Sequence, residues 1–266
     1  VIIGLYKEYG ICCFKIDGLQ IPTKTAEQNL RRLFDAVLAQ TNHEVIFNLD
    51  ATAGRRGGYH YMNEYGNIFL ENRYTDWGNY YPYRTLRNLW MLSRYVPAEK
   101  MQIEFLNKWR NADKYSTTDP FAPARYSFDY LFAITLAAQP LAWMEASNLP
   151  EEAYATATLL KEYQPLQLQF HQGIILPIGE EPSGRSWTGF QSIVSDTQGY
   201  LIIYREDNDI AKRTIDTWLP EGKKVTFTPL MGNGKKFVAE VGVQGKVSFE
   251  LNDKNSFTLY QYQVKP

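Results

Sequence analysis

The chain has 266 residues, of which 44 % are hydrophobic and 15 % aromatic, and its formal net charge is −1. This composition is typical of a globular protein with a large core, arranged in one or two domains. The near-neutral charge favours neither nucleic acid nor an anionic membrane as a partner. The sequence contains no run of about 18 apolar residues, the length that would predict a membrane span.

The first ten residues, VIIGLYKEYG, predict the last turns of a helix that ends at Gly10. They lack the basic region and small-residue cleavage site of a signal peptide, and the sequence indicates no cellular location. A chain that opens at the end of a helix is expected to derive from a longer protein.

Residues 11–19, ICCFKIDGL, predict a short buried strand with Lys15 and Asp17 on the same side. A lysine and an aspartate at the end of a buried strand are costly unless they pair or face a cavity. Two interpretations stay open: a structural ion pair, or a catalytic carboxylate that the lysine keeps ionised.

Helices and further strands alternate after this first strand. A capping box at Thr25 and Gln28 predicts the start of an amphipathic helix with an apolar face at Leu30, Leu33, Phe34, Val37 and Leu38. Strands are predicted within 44–50, 67–74, 101–109 and 130–144, and helices within 85–95 and from about 148 onward. Polar residues follow the strands: Asp50, Arg55 and Arg56 after the second, and Glu71, Asn72 and Arg73 after the third.

This alternation predicts a parallel sheet whose polar loops lie at the carboxyl ends of the strands. Five such strands between residue 11 and about 144 correspond to five βα units of a (β/α)8 TIM-type barrel, strands 4–8, over residues 1–173. Three units on the N-terminal side are expected to be missing. From about 174 to 266 the pattern changes to short alternating strands with turns at Asn233-Gly234 and Asn252-Asp253, which predicts an antiparallel β-sandwich.

The motifs taken together resemble the clan D glycoside hydrolases, and their layout is most similar to the family 36 α-galactosidases. YGICCFKIDG resembles the fourth-strand motif of that clan, in which a Lys-x-Asp strand presents the nucleophile. NLDATAGRRGG resembles the loop after the fifth strand, and YTDWGNYYPYRTLRNLW resembles the segment that carries the acid/base. The chain lacks the Glu-x-Cys part of the fifth-strand pattern, and Thr75 stands where a serine is usual.

The resemblance implies a retaining hydrolase of α-galactosides or related α-glycosides. It implies Asp17 as the nucleophile with Lys15 as its electrostatic partner, and Asp76 as the acid/base. Further substrate contacts are expected from a set of polar and aromatic residues: Asp50, Arg55, Arg56, Glu71, Arg73 and Trp77. A retaining glycosidase needs one ionised and one protonated carboxyl group, and apolar neighbours of Asp76 such as Trp77 are expected to favour its protonated form.

Alternatives remain for several of these residues. Asp76 is also a candidate helix N-cap, and Glu71, nearer the end of its strand, is a rival acid/base. Arg55 and Arg56 could belong to a solvated loop. At the level of function, the alternatives are a catalytically inactive carbohydrate-binding or assembly fragment of the same fold, and a phosphate-binding barrel that uses AGRRGG.

We expect no cofactor and no metal ion, because His43, His60 and His171 are far apart and the only cysteines, Cys12 and Cys13, are adjacent. The expected ligand is an oligosaccharide or glycoside. The 19 tyrosines and 6 tryptophans would suit such a ligand, since a flat apolar ring matches the face of a pyranose, although they suit a core equally well. The expected protein partner is an N-terminal barrel half or a second copy in a homo-oligomer.

Overall fold

The computed structural model describes residues 1–18, 21–50, 63–70, 75–144 and 149–265. Their packing divides the chain into two compact units. Unit 1 comprises Val1–Asn72 and Lys100–Ile103, and unit 2 comprises Arg73–Glu99 and Glu104–Pro266.

Unit 1 begins with the helix predicted at the N-terminus. Helix α1 spans Ile2–Tyr9, and Gly10 ends it in the left-handed conformation, with φ at 69° and its N–H donated to the carbonyl of Tyr6. This is the glycine stop that the sequence predicts. The unit continues with strand β1 (Cys13–Ile16), helix α2 (Lys24–Gln40), strands β2 (Ile46–Asp50) and β3 (Gly66–Phe69), and the first residues of β4 (Met101–Phe105).

Helix α2 covers the apolar face of this sheet. Its N-cap is Thr23, whose hydroxyl accepts a hydrogen bond from Ala26 N at 3.1 Å, so the prediction of a cap at Thr25 is wrong by two residues. Phe34 and Val37 are buried, and the Phe34 ring lies 4.5 Å from that of Phe47 on β2. Burial of this apolar stripe stabilises the helix against the strand.

The five strands β1–β5 form one sheet in chain order, with β5 spanning Gln139–Ala142. The pairs β1–β2, β2–β3 and β3–β4 are parallel. Sequential parallel strands joined by helical crossovers are the arrangement that the alternating pattern predicts.

Unit 2 contributes helices α3 (Pro82–Leu92), α4 (Phe128–Ala133) and α5 (Glu151–His171). The expected strand at 130–144 is therefore only partly correct, because helix α4 occupies its first residues. Ser127 caps that helix by accepting a hydrogen bond from Tyr130 N at 3.1 Å, and this local bond favours helix over strand. None of the helices in the described ranges is long and apolar enough to cross a bilayer.

The remainder of unit 2 is antiparallel, as expected from residue 174 onward. Its strands are β6 (Ile174–Gly179), β7 (Trp187–Ile193), β8 (Gln198–Arg205), β9 (Lys212–Asp216), β10 (Lys224–Gly232), β11 (Phe237–Glu240), β12 (Lys246–Glu250) and β13 (Ser256–Val264). Six of them form a sheet in the order β11-β10-β13-β8-β7-β6, and β9 pairs with β12. Both sheets contribute to one core, which includes Trp187, Phe227, Phe249 and Tyr260.

The six-strand sheet is buried on both faces at β8. Leu201 and Ile203 belong to the core shared with β9 and β12. On the opposite face, the Tyr204 hydroxyl donates to the carbonyl of Ala133 in α4 at 2.7 Å, and Tyr200 donates to Gln169 of α5 at 2.7 Å. Helices and antiparallel strands are thus packed together within unit 2.

Candidate functional site

One face of the sheet in unit 1 carries polar side chains. Lys15 of β1 lies in register with Asn48 of β2, Asp50 with Phe69 of β3, and Phe69 with Gln102 of β4. Residues in register on parallel strands project from the same face, so these side chains are neighbours. The hydrogen bond from Asn48 Nδ2 to Gln102 Oε1, at 2.7 Å, spans this face.

Lys15 lies on this face, between two carboxylates. Its Nζ is 3.7 Å from Asp17 Oδ2 and 3.7 Å from Asp50 Oδ2. The same ammonium lies 4.5 Å from the centroid of the Phe69 ring, within the range of a cation–π contact. Both carboxylates are therefore anchored to one cation that an aromatic ring also stabilises.

The two aspartates differ in access. The side chain of Asp50 is only 6 % exposed, whereas that of Asp17, which directly follows β1, is 61 % exposed. A buried carboxylate needs a compensating cation, which Lys15 provides. Asp17 is the one that an incoming ligand can reach, so this arrangement can present a carboxyl oxygen nucleophile to a substrate.

Asp76 of unit 2 lies in a short 3₁₀ helix, Thr75–Trp77. Its Oδ1 accepts a hydrogen bond from Asn111 Nδ2 at 2.6 Å and lies 2.9 Å from Arg110 Nε. Its Oδ2 lies 3.3 Å from Arg110 Nη2, and the ammonium of Lys114 donates to its main-chain carbonyl. The carboxylate thus contacts side chains from the segment after β4 rather than backbone N–H groups of its own turn, which does not fit an N-cap.

The surroundings of Asp76 differ from the apolar setting that the sequence suggested. The groups that contact its carboxylate are a guanidinium and an amide, both of which are hydrogen-bond donors. Trp77 is adjacent in sequence, but it is 66 % exposed. Donors of this kind hold the carboxylate in a fixed position.

Two clefts of unit 2 are lined by the segment that follows β4. A small cleft of about 70 Å³ contains Asp76; its lining residues are Thr75, Asp76, Leu106, Asn107, Arg110, Trp143 and Met144. A larger cleft of about 340 Å³ is lined by Lys108, Trp109, Ala112, Tyr115, Ser116, Thr117, Ala122, Ala124 and Arg125. The larger volume falls at the lower end of the roughly 300–1,000 Å³ typical of small-molecule sites.

The larger cleft has a rigid polar wall. Lys108 is 5 % exposed, and its Nζ donates to the carbonyl of Tyr126 at 2.7 Å and lies 3.1 Å from Glu152 Oε2. The indole N–H of Trp109 also donates to Glu152. This bond, followed by those to Lys108, lowers the pKa of Glu152. The wall therefore presents a fixed indole ring and a fixed cation to the cleft.

Several sequence-predicted residues lie outside the described residues: Arg55, Arg56, Glu71 and Arg73. Their roles stay predictions. Within the described ranges, no group of three or more His, Cys, Asp or Glu side chains is placed to hold a metal ion.

The structure also brings forward residues that the motifs did not single out. Gln102 contributes to the polar face of unit 1, and Glu104, two residues further along β4, is fully buried. Arg110 and Asn111 contact Asp76. Two signals were available: polar residues at alternate positions of a predicted strand, and a polar run directly after it.

Comparison with solved structures shows what this fold is similar to. The chain is similar to the family 36 α-galactosidase AgaA from Geobacillus stearothermophilus in complex with raffinose, with a TM-score of 0.66, 12 % identity, and coverage of 99 % of this chain and 37 % of that one. The same enzyme in complex with 1-deoxygalactonojirimycin gives the same values. The galactosidase domain of the α-galactosidase–sucrose kinase AgaSK gives a TM-score of 0.53, 10 % identity, and coverage of 98 % of this chain and 41 % of that one.

No protein-family model matches the sequence, and no curated protein matches it either. At 10–12 % identity the likeness to the solved structures concerns the fold, and the chain spans well under half the length of these enzymes. The resemblance to a family 36-like fold that the motifs suggested is confirmed at this level.

Proposed function

We propose that this chain is the C-terminal part of a retaining glycoside hydrolase that acts on α-galactosides or related α-glycosides. The observation that carries the proposal is the position of Asp17. It is an exposed carboxylate directly after β1, ion-paired to Lys15, in a chain whose fold matches α-galactosidases over 99 % of its length. Parallel-sheet enzymes place their reacting groups at such carboxyl ends of strands.

In this proposal residues 1–173 form the last five βα units of a (β/α)8 barrel, and residues 174–266 form a β-sandwich. The chain covers 37 % of the Geobacillus enzyme, which leaves room for the first three units elsewhere. An N-terminal barrel half supplies them, and a second copy in a homo-oligomer is the alternative protein partner.

Asp17 acts as the nucleophile of a double displacement. Its carboxylate attacks the anomeric carbon, the glycosidic C–O bond breaks, and a glycosyl ester forms that water later hydrolyses. The ester is neutral, so Lys15 loses the negative charge of Asp17 in the intermediate. Asp50 keeps its charge at 3.7 Å from the ammonium and compensates the lysine through the cycle.

The second carboxyl group protonates the leaving oxygen and then activates water. Asp76 is a candidate for this role because it lines a cleft that also contains the aromatic side chain of Trp143. Its ion pair with Arg110 holds the carboxylate in position. Glu71 is the rival for this role. Arg55, Arg56, Arg73, Trp77 and Asp50 make further contacts to the substrate hydroxyls and rings.

The experiment uses a longer protein that contains the whole barrel. Asp17→Asn should abolish hydrolysis of an aryl α-galactoside, because an amide cannot form the glycosyl ester. Asp35→Asn is the matched control, since Asp35 lies on the exposed side of α2. Normal activity of Asp17→Asn, or a product with inverted anomeric configuration, would refute the proposal.

A second candidate is a non-catalytic carbohydrate-binding or assembly fragment of the same fold. The observation that favours it is that Arg110 and Asn111 contact both carboxylate oxygens of Asp76. Oxygens that already accept hydrogen bonds are less available to carry a proton to a leaving group. Sugar binding without turnover by the longer protein would support this candidate over the enzyme.

A further inference from the structure

A groove in unit 2 lies between helix α3 and the antiparallel strands, and we call it the Trp218 groove. It has a volume of about 360 Å³ and is lined by Trp90, Arg94, Pro177, Ile178, Gly179, Asp216, Thr217, Trp218 and Gln244. It shares no lining residue with the cleft that contains Asp76 or with the cleft beside Lys108.

The tryptophan that names the groove is exposed but held in place. Trp218 is 57 % exposed, yet its indole Nε1 donates to the carbonyl of Pro177 at 3.1 Å. Its main-chain N–H donates to Gln191 Oε1 at 2.8 Å. A large apolar ring is thus presented to solvent in one orientation. Binding of a ligand would cost little conformational entropy, because the side chain is already ordered.

The floor of the groove is a second tryptophan. Trp90 is 7 % exposed, and its Nε1 donates to the carbonyl of Ile178 at 3.1 Å. The guanidinium carbon of Arg94 lies over the Trp90 ring, 4.2 Å from its centroid. This cation–π contact restrains Arg94, whose guanidinium carries five N–H donors.

The polar lining of the groove balances in charge. Arg94 contributes one cation, Asp216 one anion, and Gln244 a neutral amide with both a donor and acceptor. An anion-binding site would carry a surplus of cations, and a site for a lipid chain would lack these polar groups. A flat apolar surface with donors and acceptors at its rim matches a neutral pyranose, which has an apolar C–H face and hydroxyls at its edge.

We infer that the Trp218 groove, which has no lining residue among those proposed for catalysis, binds one pyranose unit of a neutral oligosaccharide. Trp218 lies against the sugar face, and Arg94, Asp216 and Gln244 contact its hydroxyls. The choice of a galactose-containing sugar rests on the proposed function. The binding step itself does not depend on hydrolysis.

The test is a titration of this chain with raffinose, the sugar bound in the Geobacillus enzyme, followed by the indole N–H signals in nuclear magnetic resonance. Trp218→Ala should weaken binding about tenfold or more, the scale of one lost aromatic contact. Trp218→Phe should bind nearly as well as the unchanged chain because it keeps a ring. Tyr154→Ala is the control, since Tyr154 is an exposed aromatic residue of α5, at 58 %.

Three outcomes would overturn the inference: no binding by the unchanged chain, equal binding by Trp218→Ala, or a loss of binding in Trp77→Ala alone. The last would assign the sugar to the candidate catalytic region. Hydrolysis of a small aryl α-galactoside by the longer protein separates the two proposals. Trp218→Ala should leave this hydrolysis unchanged, whereas Asp17→Asn should abolish it.

Discussion

A buried carboxyl group in unit 2 should make the stability of the protein depend on pH. Glu206 follows β8 and is 1 % exposed, and its Oε2 accepts hydrogen bonds from Ser183 N at 3.0 Å and Ser186 N at 2.8 Å. Burial raises the pKa of Glu206 from 4.5 to about 7, although these backbone N–H groups act in the opposite direction. Desolvation of the ionised form therefore outweighs its hydrogen bonds.

The direction of the effect follows from the protons that each state binds. Below about pH 4.5 the carboxyl is protonated in both the folded and the unfolded chain, so it does not make stability depend on pH. Between about pH 4.5 and 7 the unfolded chain releases the proton while the folded chain retains it, so stability falls as pH rises. Above about pH 7 the carboxyl is ionised in both states, and the free energy of unfolding is lower by about 3 kcal/mol than below pH 4.5.

The measurement is denaturant unfolding of the wild type and Glu206→Gln across a pH series. Glutamine is neutral and keeps an oxygen acceptor for the two backbone N–H groups. We expect the stability of Glu206→Gln relative to wild type to rise by about 2–3 kcal/mol between about pH 5 and about pH 8. Glu180→Gln is the control, because Glu180 is partly exposed and pairs with Arg213. A difference between Glu206→Gln and wild type that stays constant over this range would refute the reasoning.

Three further predictions concern the candidate site and its support. Asp76→Asn in the longer protein should spare an aryl α-galactoside with a good leaving group but slow natural α-galactosides by about 10²–10⁴-fold, and steady-state kinetics that show equal losses would count against a general acid. Lys15→Met should lower the free energy of unfolding by about 1–3 kcal/mol in denaturant titrations, because a buried aspartate loses its cation, whereas the exposed Lys24→Met should change it little. Phe34→Ala should cost about 3–5 kcal/mol in the same assay, and a loss no larger than that of the half-exposed Leu33→Ala would show that α2 does not depend on this ring.

The fold was predictable to the extent that local patterns determine it. The 3.6-residue apolar period of α2, the glycine after α1 and the short apolar strands each depend on neighbours in sequence, and each is present in the structure. The predicted burial of the first strand is wrong, because none of the four residues of β1 is buried. Residues 130–133 were misassigned because a continuous apolar run fits a buried helix as well as a buried strand. The deciding signal was Ser127, a capping residue just before the run.

The candidate site was less predictable, because its contacts join residues that are far apart in sequence. Lys15 and Asp17 are two residues apart, so alternation alone indicates that they are neighbours. Arg110 lies 34 residues after Asp76, and only the fold brings the two together. Glu206 gave no signal at all, since a glutamate between a strand and a polar loop is expected to be exposed.

The burial of both faces of the six-strand sheet has a consequence for how this protein can be divided. The change in sequence pattern at residue 174 suggests a convenient place to cut the gene. A fragment that began there would uncover the aromatic face of β8, including Tyr200 and Tyr204, from which α4 and α5 would be absent. An exposed apolar surface of this kind promotes aggregation. The antiparallel strands therefore belong to the same folding unit as the helices that precede them. A truncation or a gene fusion would have to keep these helices and strands together.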